Sequence, residues 1–229
     1  MPVSAIVLAA GRGLRFNLKV SKPLSQVNSR PVIAYCLERL QRHPSISDII
    51  VVVNATNRKG ITAVIKRFKI NKASKVVLGG RRRQDSVRNG LKIISNRTEF
   101  VLVHDAARPF IDTKIVSTLI RQARRLGAAI PAVPARSTIK RVSPRMIVEK
   151  TISRDNLWEA QTPQVFNREL LLKAYKRFGH IDVTDDAMLV EMLGVKVVVV
   201  PGSYDNIKIT TPQDLALAEA ISKSKRRLR

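Results

Sequence analysis

Two glycines and three cationic side chains lie close together near the start of the chain, in a segment whose composition favours phosphate binding. The segment LAAGRGLRF (8–16) follows a short apolar run, and Lys22 comes soon after it. Glycines let a backbone turn sharply and approach a ligand closely, and the N–H groups of such a turn bind phosphate oxygens. Arg12, Arg15 and Lys22 would offset the charge of a triphosphate. The alternative is a simple turn between a strand and a helix.

The glycine spacing excludes two common nucleotide motifs. It does not match G-x-G-x-x-G, because Phe16 stands where the third glycine would be, and it does not match G-x-x-x-x-G-K-[ST]. The spacing therefore disfavours a dinucleotide-dependent dehydrogenase and a P-loop kinase.

A carboxylate in the segment VHDAARP is the first candidate for a metal ligand. Asp105 comes just past an apolar run, where a carboxylate is costly unless it is paired, hydrogen-bonded or bound to a metal. Mg²⁺ uses one or two carboxylates together with phosphate oxygens, so we predict that Asp105 binds Mg²⁺. A helix cap or a pair with Arg108 would also explain it. We expect His104 to be packed in the core rather than to take part in catalysis.

Other polar residues allow a structural explanation beside the functional one. Asp185 and Asp186 open a predicted helix, where capping alone explains one acid. Lys208 precedes a short strand, and it either meets a substrate phosphate or faces solvent. No Ser–His–Asp order and no Cys–His pair stands out. The residues therefore suit a transfer reaction in which the substrate supplies an anionic nucleophile, and positioning and charge stabilisation do most of the catalysis.

Apolar runs and amphipathic segments alternate along the chain in a way that places these residues. Buried strands are predicted at 3–9, 48–54, 75–80 and 100–109, the last of them running into a polar turn. A strand-like segment follows at 127–135 and a further strand at 195–200, and amphipathic helices lie between the strands. We predict one domain over 1–229, an α/β fold with a single Rossmann-like, mostly parallel sheet and helices on both faces.

The carboxyl ends of the predicted strands collect the polar motifs. AAGRG follows the first strand, GGRRRQDS the third and HDAARP the fourth. Because such sheets bind ligands beyond the carboxyl ends of their strands, these three motifs are expected to form one site.

Residues 136–158 break the alternation of strands and helices. They alternate in polarity around the turn sequence SPR (143–145), which predicts a protruding β-hairpin arm. The arm has too few apolar residues to be a domain, so we expect it to pair with a second subunit. The alternative is a solvated flap on a monomer.

Bulk composition narrows the class of protein further. The net charge of +25 suits either a nucleic-acid partner or a small polyanionic substrate, but aromatic residues make up only 4% and dense basic runs are confined to 81–83 and 223–229. We therefore do not expect nucleic-acid binding to be the main function. We see neither a membrane span nor a signal peptide. The one cysteine, Cys36, fits a reducing compartment, and we expect a cytoplasmic protein.

Six motifs, in order and covering nearly the whole chain, resemble those of 2-C-methyl-D-erythritol 4-phosphate cytidylyltransferases. They are LAAGRGLRF…SKP, GGRRRQDSVRNGL, VHDAARPF, TPQVF, TDDAMLVE and DNIKITTPQDLALAE. The related ribitol-5-phosphate cytidylyltransferases share the loop, the sheet and the chemistry, and the alanines of HDAARP favour the methylerythritol enzymes. A catalytically silent nucleotide-binding relative and a nucleic-acid-binding protein are further alternatives.

The resemblance implies a reaction and a role for each matching residue. A phosphate oxygen of methylerythritol phosphate would attack the α-phosphorus of CTP, with Mg²⁺ on the triphosphate, in a homodimer that forms through the arm. The implied residues are, for catalysis, Arg15, Lys22, Arg154 and Lys208; for the nucleotide, Ala9, Ala10, Gly11, Gly13, Gly80 and Ser86; for the alditol phosphate, Arg108, Thr138, Arg154, Thr162 and Lys208; and for the metal, Asp105 and Asp205.

The chain departs from the family pattern at several positions beside these residues. Lys22 has Ser21 before it and Leu24 two residues after it, in place of the usual PKQ. Arg81 stands where an acid often follows the glycine pair, which reverses the local charge, and Ser137 replaces a common aspartate before Thr138.

Overall fold

The computed structural model describes residues 2–11 and 21–227. Arg12, Gly13 and Arg15 of the predicted phosphate loop lie outside the described residues. The strands are β1 (Val3–Leu8), β2 (Gln26–Val27), β3 (Arg30–Pro31), β4 (Ile46–Val53), β5 (Lys75–Leu78), β6 (Phe100–Asp105), β7 (Ala128–Pro134), β8 (Ile139–Val142), β9 (Val148–Ile152), β10 (Trp158–Ala160), β11 (Gln164–Asn167) and β12 (Val198–Pro201). The α-helices are α1 (Val32–Arg42), α2 (Arg58–Arg67), α3 (Arg83–Leu91), α4 (Thr113–Leu126), α5 (Arg168–Phe178), α6 (Asp186–Glu191) and α7 (Gln213–Arg227).

An eight-stranded sheet forms the centre of the molecule. Its order is β10-β7-β11-β6-β1-β4-β5, and β12 pairs with β7. The pairs β1–β4, β1–β6, β4–β5 and β7–β12 are parallel. The predicted fold, a mostly parallel sheet in an α/β chain, is confirmed.

Three antiparallel pairs depart from the predicted parallel pattern. Strand β11 is antiparallel to both β6 and β7, and β10 is antiparallel to β7. With four residues in β11 and three in β10, these strands are too short to show a period. Trp158, the last residue of the arm as predicted from sequence (136–158), is thus the first residue of β10 and belongs to the central sheet.

Two apolar layers flank the sheet, because successive side chains of a strand point to opposite faces. In β1, Ala5 and Val7 pack into the layer that contains α1, α2 and α4, whereas Ile6 packs into the layer that contains α3, α5 and α6. In α4, four residues at helical spacing are all buried, as the sequence predicts: Val116, Leu119, Ile120 and Ala123. Helices on both faces leave only the ends of the strands open to a ligand.

The arm is a two-stranded antiparallel sheet of β8 and β9. Its tip exposes a row of apolar side chains, and Met146 is 84% accessible. The others are Val142, Ile147 and Val148. The predicted hairpin is confirmed, with the strands at 139–142 and 148–152.

The C-terminal helix packs on a smaller apolar cluster. Ala218 of α7 joins Val27, Val32, Phe110 and Ile209, all of them buried. Within the part of the chain that the structure describes, no helix is long and apolar enough to span a membrane.

Candidate active site

A cavity of about 710 Å³ opens at the carboxyl ends of β1, β4, β5 and β6. This volume falls within the range of about 300 to 1,000 Å³ that is typical of small-molecule sites. Among the lining residues that the structure describes, five side chains are cationic and one, Asp105, is acidic. The cationic residues are Lys22, Arg81, Arg82, Arg83 and Lys208, and the others include Leu8, Ala9, Ala10, Gly11, Pro23, Asn54, Ala55, Leu78, Gly79, Gly80, Ser86 and Ala107. The balance of charge suits a polyanionic ligand.

The loop after β1 is held by two asparagines that follow β4. The side-chain amide of Asn57 donates to the carbonyl of Ala9 at 2.8 Å, and that of Asn54 donates to the carbonyl of Ala10 at 3.3 Å. These bonds engage the carbonyl oxygens and so reduce the negative potential that the loop presents to an anion. An added Cβ at Gly11 would meet no atom of the described residues within 4 Å.

Sequence reasoning missed both asparagines, although a signal for them exists. The residues NATN come directly after a buried strand, at the edge of the sheet where the three recognised motifs also end. Asn57 is the N-cap residue of α2, yet its side chain makes no cap bond within that helix. It bonds Ala9 and the N–H of Asn54 instead, so its amide serves the loop.

The glycine pair after β5 has no room for side chains. A Cβ added at Gly79 would lie 2.5 Å from the Cβ of Ala10, and one added at Gly80 would lie 2.3 Å from the Cβ of Asp85. The N–H of Gly80 donates to the hydroxyl of Ser86 at 3.1 Å. Ala10, Gly80 and Ser86 therefore form one compact wall of the cavity. Their contact with the nucleotide stays a prediction.

Lys22 reaches the cavity from a single 3₁₀ turn, Lys22–Leu24. The following Pro23 is buried and also lines the cavity. The structure thus brings the predicted Lys22 together with the glycine wall. The other cations predicted for this loop lie outside the described residues.

Asp105 carries the acidic charge of the cavity and is shared by two cations. The Nζ of Lys208 lies 2.6 Å from its Oδ2, and the Nε of Arg83 lies 3.3 Å from its Oδ1. Burial by itself raises the pKa of this carboxyl, but the charges of Arg83 and Lys208 outweigh burial and hold the pKa well below its usual range. Asp105 is therefore ionised at neutral pH, as either a metal ligand or an ion-pair partner must be.

A chain of hydrogen bonds fixes the backbone of Asp105. Its N–H donates to the hydroxyl of Thr162 at 3.1 Å, and that hydroxyl lies 3.1 Å from the Nδ1 of His104. The Nε2 of His104 lies 3.0 Å from the carbonyl of Arg108. Since a carbonyl only accepts, Nε2 carries the proton and Nδ1 accepts from Thr162.

The expectation that His104 is packed rather than catalytic agrees with this arrangement. The side chain is fully buried, and burial lowers its pKa to about 4, although the charge of Asp105 opposes the shift. His104 is thus neutral near pH 7. The Thr162 hydroxyl is engaged with Asp105 and His104, and its predicted contact with an alditol phosphate stays a prediction.

Arg108 connects the same loop to the segment before Lys208. Its Nη1 donates to the carbonyl of Asn206 at 2.7 Å, and the side-chain amide of Asn206 donates to the carbonyl of Thr162 at 2.9 Å. Asn206 is buried, and sequence reasoning missed it because an asparagine in a turn is usually explained by the turn itself. These bonds keep Lys208 beside Asp105.

Thr138, Arg154 and Asp205, like Arg108 and Thr162, are not among the described residues that line the cavity. Thr138 and Arg154 are exposed at the base of the arm, and Arg154 donates to the carbonyl of Arg136. Asp205 pairs with Lys225 at 3.3 Å. Among the described residues, no group of three or more His, Cys, Asp or Glu side chains is placed to hold a metal.

Comparison with known proteins places these features in a family. The model of the 2-C-methyl-D-erythritol 4-phosphate cytidylyltransferase (IspD) family matches residues 3–224. The chain is 46% identical over 224 residues to the cytidylyltransferase of that name from Syntrophus aciditrophicus, covering 96% of each chain. It is 42% identical over 220 residues to that from Clostridium botulinum, covering 95% of this chain and 96% of the relative.

Solved structures of the same kind share the fold. The 4-diphosphocytidyl-2C-methyl-D-erythritol synthase of Anaerococcus prevotii superposes with a TM-score of 0.84 at 33% identity, covering 97% of this chain and 96% of its own. The cytidylyltransferase of Thermus thermophilus superposes with a TM-score of 0.77 at 31% identity, covering 95% and 98%. Sequence, fold and cavity agree, and the chain belongs to the 2-C-methyl-D-erythritol 4-phosphate cytidylyltransferase family.

Proposed function

We infer that this chain transfers CMP from CTP to 2-C-methyl-D-erythritol 4-phosphate in the synthesis of isoprenoid precursors. A phosphate oxygen of the alditol forms a bond to the α-phosphorus, the bond from the α-phosphorus to the bridging oxygen breaks, and pyrophosphate leaves with the electron pair. The observation that carries the proposal is the cavity in which five cations surround one carboxylate, in a chain that matches the family over residues 3–224.

The nucleotide is expected to occupy the side of the cavity built by the two loops. Ala9, Ala10 and Gly11 offer backbone to the triphosphate, and Gly80 and Ser86 offer the wall against which the cytosine packs. Gly13, outside the described residues, belongs to the same proposal. Because the wall admits no added side chain at Gly80, its shape is set by backbone, which suits selection of a base by size.

The residues that line the cavity fit Mg²⁺ with Asp105 as its one protein ligand. Asp105 is ionised and is the only carboxylate among the lining residues that the structure describes, so it would hold the ion together with phosphate oxygens of the ligand. Such an ion neutralises charge on the triphosphate and orients it. Asp205, predicted as a helper, is paired with Lys225 outside the lining, and we retain Asp105 alone in the proposal.

Catalysis would then rest on positioning and charge. A phosphate monoester is already anionic at neutral pH, so the attacking oxygen needs no strong general base. Lys22, with Arg15 outside the described residues, would stabilise charge that accumulates around the α-phosphorus, and Lys208 would hold the phosphate of the alditol. Arg108 is proposed to support the same phosphate.

We propose that the active unit is a cytoplasmic homodimer. The exposed apolar tip of the arm supports this, because side chains such as Met146 and Ile147 gain from being covered by a second copy. Thr138 and Arg154, exposed at the base of the arm, would then act on the alditol phosphate of the neighbouring site. The buried free thiol of Cys36 is consistent with a reducing compartment.

Pyrophosphate release, measured with each of four NTPs against several alditol phosphates, tests the proposed reaction. We expect release with CTP, Mg²⁺ and methylerythritol phosphate, and a large fall in kcat for Lys22→Ala with an unchanged fold. Release only with ribitol 5-phosphate would favour the related family, and CTP binding without turnover would identify a silent relative.

The dimer has its own test. We expect the mass in solution at micromolar concentration to be that of two chains, and we expect Arg154→Ala mixed with Lys22→Ala to regain activity through hybrid dimers. A monomer with full activity would contradict an action of Arg154 on the neighbouring site.

A further inference from the structure

A polar network adjoins Asp105 through Arg83, which also lines the cavity. The guanidinium of Arg83, at the start of α3, contacts Asp105 through Nε at 3.3 Å and Asp186 through Nη1 at 2.7 Å. The hydroxyl of Tyr175 donates to the other oxygen of Asp186 at 2.5 Å. Asp186 of α6 is thus bonded by Arg83 of α3 and by Tyr175 of α5.

The burial of this network makes a purely stabilising role a poor explanation. The side chain of Asp186 is fully buried, and Tyr175 is 5% exposed. A buried ion pair adds little net stability compared with apolar residues of the same volume, because taking both charges out of water costs as much as their attraction returns. Capping of α6 does not require Asp186 either, because Asp185 accepts the N–H of Met188 in that role.

The two cations that share Asp105 differ in how firmly they are held. Arg83 is tied to the buried Asp186, whereas Lys208 is 44% exposed and has Asp105 as its carboxylate partner. Arg83 uses one N–H on Asp105, and its Nη2 is buried without a hydrogen-bond partner among the described residues. A guanidinium freed from Asp186 could therefore turn both Nε and Nη2 onto Asp105.

We propose that Arg83 is a positioning residue for Asp105, and that Asp186 and Tyr175 keep its guanidinium shared between two carboxylates. Held this way, Asp105 takes one hydrogen bond from behind and keeps its other oxygen facing the cavity, where Lys208 or a metal ion meets it. Without Asp186, Arg83 pairs in a fork with Asp105 and draws the carboxylate out of the cavity. The catalytic consequence rests on the proposed cytidylyl transfer; the placement of Asp105 does not.

Kinetics of Asp186→Asn and Tyr175→Phe test the catalytic consequence. We expect Asp186→Asn to lower kcat by about tenfold or more, in the range seen when partners behind a ligand are removed, with a smaller change in KM for CTP. Tyr175→Phe should lower kcat less, because it removes a single donor. The matched control is Tyr35→Phe, which removes a hydroxyl that donates to the carbonyl of Val27, away from the cavity.

A double-mutant comparison separates positioning from general loss of structure. Arg83→Lys keeps the charge but lacks the planar guanidinium, whose separate nitrogens reach Asp105 and Asp186 in a fixed geometry. Tyr175→Phe should therefore have no further effect on kcat in that background. Equal effects of Tyr175→Phe in both backgrounds would overturn the proposal. If Asp186→Asn fails to fold, this comparison alone decides.

A crystal structure of Asp186→Asn gives a readout that does not depend on activity. We expect a two-pronged contact between Arg83 and Asp105 and a longer distance from Asp105 to Lys208. An unchanged Asp105 would refute the placement argument even if the variant were slow. Absence of pyrophosphate release by the unmodified enzyme would instead refute the proposed function. The crystal structure of the variant would still test the placement of Asp105 independently.

Discussion

Replacing Thr162 by valine removes one hydroxyl that serves two buried groups. Valine has nearly the shape of threonine, so the change opens no cavity. The N–H of Asp105 loses its acceptor at 3.1 Å, and the Nδ1 of His104 loses its donor at 3.1 Å. His104 is fully buried and Thr162 is 5% exposed, so water does not readily take the place of the hydroxyl.

The size of the effect follows from counting unsatisfied groups. A buried donor or acceptor left without a partner costs about 1 to 3 kcal/mol. Two such groups predict that the free energy of unfolding of Thr162→Val falls by about 2 to 6 kcal/mol. For a chain of this size each kcal/mol lowers Tm by about 2 to 4 °C, so the loss is large enough to measure without ambiguity.

Urea unfolding of the free protein is the appropriate assay. It contains no substrate, so a contact between Thr162 and an alditol phosphate cannot contribute to the result. The midpoint should fall while the slope m stays constant. Thr162→Ser is the control, because it keeps the hydroxyl and loses one methyl group, which costs about 1 kcal/mol. If Thr162→Val were no less stable than Thr162→Ser, the hydrogen-bond chain through His104 would be wrong.

Three further predictions address charge and loop support. The pKa of His104 is about 4 in the folded protein against an ordinary value of 6.5, so folding favours the neutral imidazole. The free energy of unfolding is therefore greatest above about pH 6.5 and decreases by about 3 kcal/mol as the pH falls toward 4. Unfolding measured across this window should show a shallower slope for His104→Gln, and equal slopes would contradict the assignment. Lys208→Met should lower kcat by a factor of about 10² or more, the loss typical of one charge-stabilising donor. Lys225 pairs with a carboxylate outside the cavity lining, so the control Lys225→Met should leave kcat unchanged. Similar losses of kcat in both variants would show that the effect comes from net charge. Asn57→Ala removes the 2.8 Å hydrogen bond to the carbonyl of Ala9. It should raise KM for CTP by about tenfold, equivalent to about 1.4 kcal/mol. An unaltered KM would show that the loop holds its shape without this amide.

The sequence by itself determined the alternation of strands and helices and the edge of the central sheet at which the site lies. Strands and helices repeat their side-chain directions with fixed periods, and these periods are visible in a sequence as patterns of apolar residues. The apolar run 48–54 and the helical spacing from Val116 to Ala123 are examples. In a parallel arrangement, strand ends must share one edge, so the loops after β1, β5 and β6 could be assigned to one site before any coordinates. Ala10, Gly80, Ser86 and Asp105 do meet in one cavity.

Only the tertiary structure decided which charges pair and what supports them. The chain has 42 lysines and arginines, and no spacing rule selects Arg83 and Lys208 as the partners of Asp105. The same holds for the short antiparallel strand β11 and for Asn57, whose side chain leaves its own helix to bond Ala9. Coulombic and hydrogen-bond energies depend on distances between groups far apart in the chain, and those distances exist only once the sheet has brought its strands together.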